Sequence, residues 1–127
     1  IKKLNFFEGD FLVSSKDLES NRIIFYKTLG DERELKLIKF FIKNLKEDDV
    51  FYDIGDNYGF YSCLAAEFCK EVHSFEPVPE IFNYLKKNTK EYSNIILNNM
   101  AISDKKGIVD IYRDKKPLVL ILSIKMF

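Results

Sequence analysis

Two hydrophobic periods alternate along this chain, and together they mark out its elements. Leu35, Ile38, Phe41, Ile42 and Leu45 recur at helical spacing, and Asp31 followed by Glu34 resembles a capping box ahead of them. The spacing predicts a helix over residues 32–46 with lysines on its outer side. Residues 50–54, Val-Phe-Tyr-Asp-Ile, read as a strand between a polar turn and Gly55. A helix over 60–70, a strand over 72–75, a helix over 79–91 with Pro79 near its first turn, and a strand over 95–100 follow. This β-α-β-α-β order predicts a parallel sheet with right-handed crossovers. Beyond it, residues 104–107 form a turn and 108–112 a strand returning antiparallel. Ahead of the first helix, the apolar runs 11–13 and 22–27 are read as a hairpin in an N-terminal cap. The expected divisions are a cap region with its amphipathic helix over 1–49, a core over 50–112 and an atypical tail over 113–127.

Composition narrows the function classes. At 127 residues the chain is one domain at most, short for a full α/β enzyme. Twenty basic and twenty acidic side chains cancel, so no net field favours nucleic acid or an anionic membrane, and neither is expected as a partner. The 12 Phe and 7 Tyr read as compositional bias rather than as a binding platform. Cys63 and Cys69 fall on different faces of the predicted 60–70 helix, and His73 is the lone histidine, so no metal site is expected. Glu32, Glu34 and Glu47 dilute the basic character that a membrane-surface helix would need. The apolar run 118–124 is too short to span a bilayer and no signal peptide is visible, so a reducing, cytoplasmic setting is the default.

The chemistry concentrates at the first turn. Asp53-Ile54-Gly55-Asp56-Asn57-Tyr58-Gly59 follows the first core strand, and Glu76 ends the second. In an open parallel sheet, ligands sit beyond the carboxyl ends of the strands, where Asp53, Glu76 and residues 98–101 converge. Gly55 and Gly59 are expected to permit a tight turn and close backbone approach to a ligand. Glu76 is placed to accept two hydrogen bonds from a ribose diol. A dinucleotide fingerprint needs a central glycine that this turn lacks, and two acids beside a pyrophosphate would cost on the order of a few kcal/mol. S-adenosylmethionine brings a sulfonium, an ammonium and an adenosine without phosphate, so charge complementarity favours it over NAD.

These residues also carry a family resemblance. Residues 50–62 resemble the first motif of class I S-adenosylmethionine-dependent methyltransferases, specifically the FkbM family. His73-Ser74-Phe75-Glu76-Pro77-Val78-Pro79-Glu80 resembles that family's second motif, and residues 99–107 its third region and turn. The resemblance covers about residues 50–112. It implies a partial Rossmann-like class I methyltransferase fold (α/β) and S-adenosylmethionine as cofactor. By the same resemblance, Asp53, Gly55, Asn57 and Gly59 would line its methionine side, Glu76 would hold the ribose hydroxyls, and Asn99 and Ala101 would lie near the adenine. Asp56 departs from the family, which usually has alanine there; it is either a solvated turn residue or a second attraction for the cation. Tyr58 and Tyr61 either close over the site or pack in the core or at its rim.

The implied activity is O-methyl transfer to a small-molecule or sugar hydroxyl, with the catalytic residues unassigned. The family continues past this point with a later acidic motif that has no counterpart here, and residues 118–124 read as a makeshift strand or as the product of truncation or a shifted frame. The alternative is therefore a truncated, catalytically inactive fragment that at most binds the cofactor. Unless 118–124 covers it, one edge of the first core strand is left unpaired, which predicts self-association or complementation by a missing C-terminal half.

Overall fold

The computed structural model describes residues 2–5, 10–14, 32–113 and 116–123. Strand β1 (Lys2–Asn5) pairs antiparallel with β2 (Asp10–Val13), which gives the 11–13 run a partner upstream. Residues 22–27 and Asp31 lie outside the described residues. Helix α1 (Glu32–Asn44) covers most of the span that its periodicity predicts, and Lys36 pairs with Glu32 one turn away at 2.8 Å. Its inward contact is Phe41, whose ring meets Phe51 and Tyr61 edge-on at 5.4 and 5.7 Å.

The centre is a three-stranded parallel sheet. Strands β3 (Val50–Ile54), β4 (Glu71–Phe75) and β5 (Ile95–Asn98) lie in chain order, with Asp53 opposite Ser74 and Ser74 opposite Leu97. Helix α2 (Phe60–Ala66) connects the first pair and α3 (Pro79–Asn88) the second. Both helices end short of their predicted limits, and side chains reach back to carbonyls near each end. The Asn94 amide donates to the Ala66 and Cys69 carbonyls at 2.9 and 3.0 Å, and the Thr89 hydroxyl donates to that of Leu85 at 2.8 Å.

A strand order that rises steadily, joined by right-handed crossovers, places both helices on one face of the sheet. Two cores form on that side. Ala65, Cys69 and Val72 pack with Leu45, Phe51 and Ile95 between helix and sheet. Phe11, Val13, Tyr58 and Cys63 form the other, joined by Phe60, Tyr84 and Tyr92. The second core brings β2 against α3, and one side chain fastens it. Asn88 accepts the Leu12 N–H at 2.6 Å and donates to the Leu12 and Tyr58 carbonyls at 2.9 and 2.8 Å. Both N–H donors and the oxygen of this buried amide thus meet backbone groups.

The remaining strands build a separate sheet. Strands β6 (Ala101–Ile102), β7 (Gly107–Arg113) and β8 (Lys116–Ser123) take the order β6-β8-β7. The predicted 108–112 strand does return antiparallel, but its partner is β8 and not the central sheet. The 118–124 run, within its described part, likewise pairs with β7 and β6 rather than with β3. Pro117 sits at the start of β8, beyond the reach of the short β6, where its missing N–H costs the ladder least.

Among the described residues, nothing pairs with the outer edge of β3. The sheet face turned away from the helices carries Val50, Tyr52, Ile54 and Ile96, all exposed, with Tyr52 stacked on His73 at 4.9 Å. An exposed apolar face beside an open strand edge favours association. Sedimentation velocity should show self-association that grows with protein concentration, and Val50→Lys should shift it toward monomer, since the new ammonium lies opposite Glu71. A wild-type chain that stays monomeric at high concentration would refute this. Asn88→Ala, which leaves buried backbone groups unpartnered, should cost about 2–3 kcal/mol in urea unfolding.

Candidate functional site

The chain leaves β3 by a turn that continues the ladder beyond the strand. The Phe75 carbonyl at the end of β4 accepts both the Gly55 and Asp56 N–H groups, at 2.8 and 3.0 Å. Three residues in the turn then take left-handed backbone: Gly55 at φ 79°, Asn57 at 62° and Gly59 at 94°. Asparagine tolerates this region better than most side chains, which explains a non-glycine residue at the middle position.

The two glycines do different work. A Cβ on Gly55 would meet nothing within 4 Å, so space is open above the turn. A Cβ on Gly59 would lie 2.7 Å from Leu85 Cδ1 and 3.3 Å from Thr89 Cγ2, both on buried side chains. The expectation that both glycines clear room for a ligand therefore needs correction for Gly59. Its missing side chain admits α3, a packing role; only Gly55 borders open space.

Glu76 closes the other side of the turn. Its backbone N–H donates to the Asn98 carbonyl at 3.1 Å, extending the β4–β5 ladder. Its buried carboxylate accepts the Asn57 N–H on Oε2 at 3.0 Å and the Val78 N–H on Oε1 at 2.7 Å. One acidic side chain thus fixes the turn after β3 and the entry into α3. Asn99 braces the same segment by donating to the Glu76 carbonyl at 2.8 Å and to that of Pro77 at 3.3 Å. Ala101 opens β6, two residues on, and is half-buried. Asp53, Gly55, Asn57, Glu76 and Asn99 are thus gathered at the carboxyl ends of three adjacent strands, as the strand order requires.

Asp56 is the surprise. It is 7% exposed, which removes the solvated-turn reading. Its Oδ2 accepts the hydroxyl of Ser74, the residue directly opposite Asp53, while Ser62 on α2 donates to Asp53 Oδ2 at 3.3 Å. Burial, followed by the charge of Asp53, pushes the Asp56 carboxyl well above the usual carboxylate range. Burial also raises Asp53, less so because the hydrogen bonds from Asp56 and Ser62 oppose it. The same burial, with the nearby carboxyls, drives the Cys63 thiol up to about 12, which leaves the sulfur a protonated, inert member of the core. Ser62 and Ser74, fully buried and overlooked in the sequence, are what make two adjacent acids tenable. A lone serine on the inward side of an apolar strand was the available signal.

The other aromatic and titratable candidates fall elsewhere. Tyr58 is buried against Tyr84 and belongs to the core, and Tyr61 packs between Phe41 and Phe60. His73 lies on the sheet face opposite Asp53, bonded to Glu71 at 2.6 Å. Among the described residues, no group of His, Cys, Asp and Glu side chains could hold a metal ion, and no helix is long and apolar enough to cross a membrane.

Known proteins echo this arrangement. A Streptococcus mutans protein classed as a methyltransferase and solved in complex with SAH superposes with a TM-score of 0.51 at 15% identity, over 56% of this chain and 41% of that one. The chain carries part of the class I methyltransferase fold. The hexuronic acid methyltransferase AglP of Haloferax volcanii is 34% identical over 56 residues, which are 44% of this chain and 23% of that protein. An uncharacterized protein of Methanocaldococcus jannaschii is 29% identical over 96 residues, 75% of this chain and 36% of its own length. The chain therefore spans about a third or less of the curated relatives that it matches. No protein-family model matches it, so the FkbM resemblance has no independent support.

The division of labour between the glycines is measurable. Gly59→Ala should destabilise by about 2–3 kcal/mol, combining positive φ with a clash that buried Leu85 cannot relieve. Gly55→Ala should cost only about 1 kcal/mol, from φ alone. Equal losses for the two in chemical denaturation would overturn the assignment.

Proposed function

We propose that this chain provides the S-adenosylmethionine-binding half of a methyltransferase, acting by O-methyl transfer on a small-molecule or carbohydrate hydroxyl. The observation that carries the reading is Glu76. A carboxylate held by two backbone N–H groups, at the end of the second strand and beside the open space at Gly55, suits a ribose diol. Asn57 Oδ1 is buried and has no hydrogen-bond partner among the described residues, so the turn holds unused acceptor capacity. Asp53 adds negative charge at the same strand end. An acceptor-rich, acidic turn fits an adenosine that bears cationic groups and does not fit a pyrophosphate.

In this reading Asp53, Gly55 and Asn57 face the methionine portion and Glu76 the ribose. Asn99 and Ala101 stand toward the adenine, with Asn99 acting through the Glu76–Pro77 backbone that it braces. Gly59 shapes the turn from behind. When bound, S-adenosylmethionine supplies an electrophilic methyl group on sulfur. The contribution of the chain is to bind and orient, which lowers the entropy cost of an in-line encounter. No general base is assigned, since Glu76 is engaged by backbone and His73 lies on the far sheet face. A sugar-type acceptor draws support from the hexuronic acid methyltransferase among the relatives. The expectation of no nucleic-acid partner rests on net charge alone and is not carried forward.

A second reading is favoured by the bare sheet face and the open β3 edge: a fragment that binds the cofactor weakly and is inactive by itself. Calorimetric titration separates the readings. S-adenosylmethionine should bind and NAD should not. Glu76→Ala should weaken binding by about tenfold or more, with circular dichroism showing the strands and helices retained while the turn loosens. Binding of NAD alone would sink the proposal, and binding of neither ligand would favour the inert fragment.

A further inference from the structure

We infer that Asp56 is a neutral hydrogen-bond donor that positions Asp53, so that the two acids of the turn carry one proton and a single negative charge between them. Four observations lead there. Asp56 is more than nine-tenths buried, and its Oδ1 has no partner among the described residues when treated as an acceptor. Its Oδ2 is already occupied by the Ser74 hydroxyl. Ser74 is the cross-strand neighbour of Asp53, so the carboxyl that bonds Ser74 is carried back over β4 toward Asp53. The Asp53 carboxyl, in turn, receives the Ser62 hydroxyl, and hydrogen bonding with Asp56 holds it lower than burial alone would. A proton on Asp56 Oδ1 directed at Asp53 converts the orphaned acceptor into a satisfied donor and removes a like-charge contact. Asp56 is the more deeply buried of the two acids, so the proton rests there rather than on Asp53.

Among the described residues, no cation stands by to relieve a second charge. Among the described residues, the titratable groups beside Asp56 are Asp53 on β3 and Cys63 on α2, both acidic. Strand β4 presents Ser74, and α3 presents Leu85 and Thr89 behind Gly59. Burial raises Asp56 strongly, in line with this. The sign of the linkage follows. The folded state holds a proton that the unfolded chain has released above the ordinary carboxylate range, so stability falls as pH rises toward the raised range of the pair. A side chain acting as a second anion for a cationic ligand would demand the reverse, an acid ionised at neutral pH. Asp56 is thus a positioning residue. Its consequence for ligand binding rests on the function proposed above; its protonation does not.

Carboxyl-carbon NMR of the wild-type chain, labelled at aspartate, gives the direct test. One proton should remain on the Asp53–Asp56 pair through neutral pH, with Asp56 showing the protonated shift. Titration of both acids near about pH 4 would overturn the proposal. Thermal unfolding from about pH 5 to about pH 9 adds a second readout. The wild type should lose stability as pH rises, whereas Asp56→Asn, whose amide mimics the neutral acid and donates to Asp53, should lose that slope. An unchanged slope in Asp56→Asn would also overturn it. Calorimetry with S-adenosylmethionine completes the set. Asp56→Ala should weaken binding by about tenfold and Asp56→Asn restore most of it; weakening by Asp56→Asn as severe as by Asp53→Asn would mark Asp56 as a charge partner instead. If S-adenosylmethionine fails to bind the wild type, the functional reading falls while the two ligand-free measurements still decide the proton.

Discussion

The hydrogen bond from the Asn57 N–H to Glu76 joins two segments that the sheet alone would leave apart. Parallel strands end side by side but send their loops off independently, and a ligand site between them needs those loops fixed. Here one carboxylate reaches back to the turn after β3 while its second oxygen holds Val78 at the entry to α3. The left-handed backbone at Asn57 aims that N–H, and the Phe75 carbonyl prepares it by taking Gly55 and Asp56 together. Removing the carboxylate would release the turn, the helix entry and the acceptor atoms at once. The geometry of the site is in this sense a property of Glu76 more than of the glycines.

The core around that bond has an uneven design. Every crossover helix falls on one face of the sheet, and the N-terminal hairpin docks on the same side through Phe11 and Val13. Packing and polar satisfaction are therefore concentrated behind the turn. In front, Val50, Tyr52, Ile54 and Ile96 present apolar surface to solvent. The cofactor-type turn is firmly backed, while the layer that would confine an acceptor is not among the described residues. This separation is why binding and turnover are distinct questions for this chain.

The central β-α-β-α-β order was legible because each strand is a short apolar run bounded by turn residues, and each helix keeps a 3.6-residue rhythm. The convergence of Asp53, Glu76 and Asn99 followed from topology, since carboxyl ends of parallel strands must share an edge. Helix ends were less legible. Residues 67–70 and 89–91 keep helical composition, yet both helices stop before them, and the Asn94 amide that takes the Ala66 carbonyl depends on tertiary placement. Asp56 could not be read because its burial depends on Ser74, eighteen residues away. The tail strands paired with each other instead of with β3 because 107–113 and 116–123 are neighbours in sequence, and a short loop closes at smaller entropic cost than a return across the sheet. Gly59 was assigned the right freedom for the wrong neighbour, since sequence reveals positive φ but not who stands behind it.

Asn88 gives the fold an unexpected line of communication. Its one amide grips Leu12 in the hairpin and the Tyr58 carbonyl inside the turn. The N-terminal strands consequently share a rivet with the loop that frames the site, although Asn88 stands 76 positions beyond Leu12 and 30 beyond Tyr58. A protease nick or a bulky fusion that dislodged the hairpin would be felt at the turn through a single side chain, so the first strands belong to the site's foundation and are poor ground for trimming or tagging.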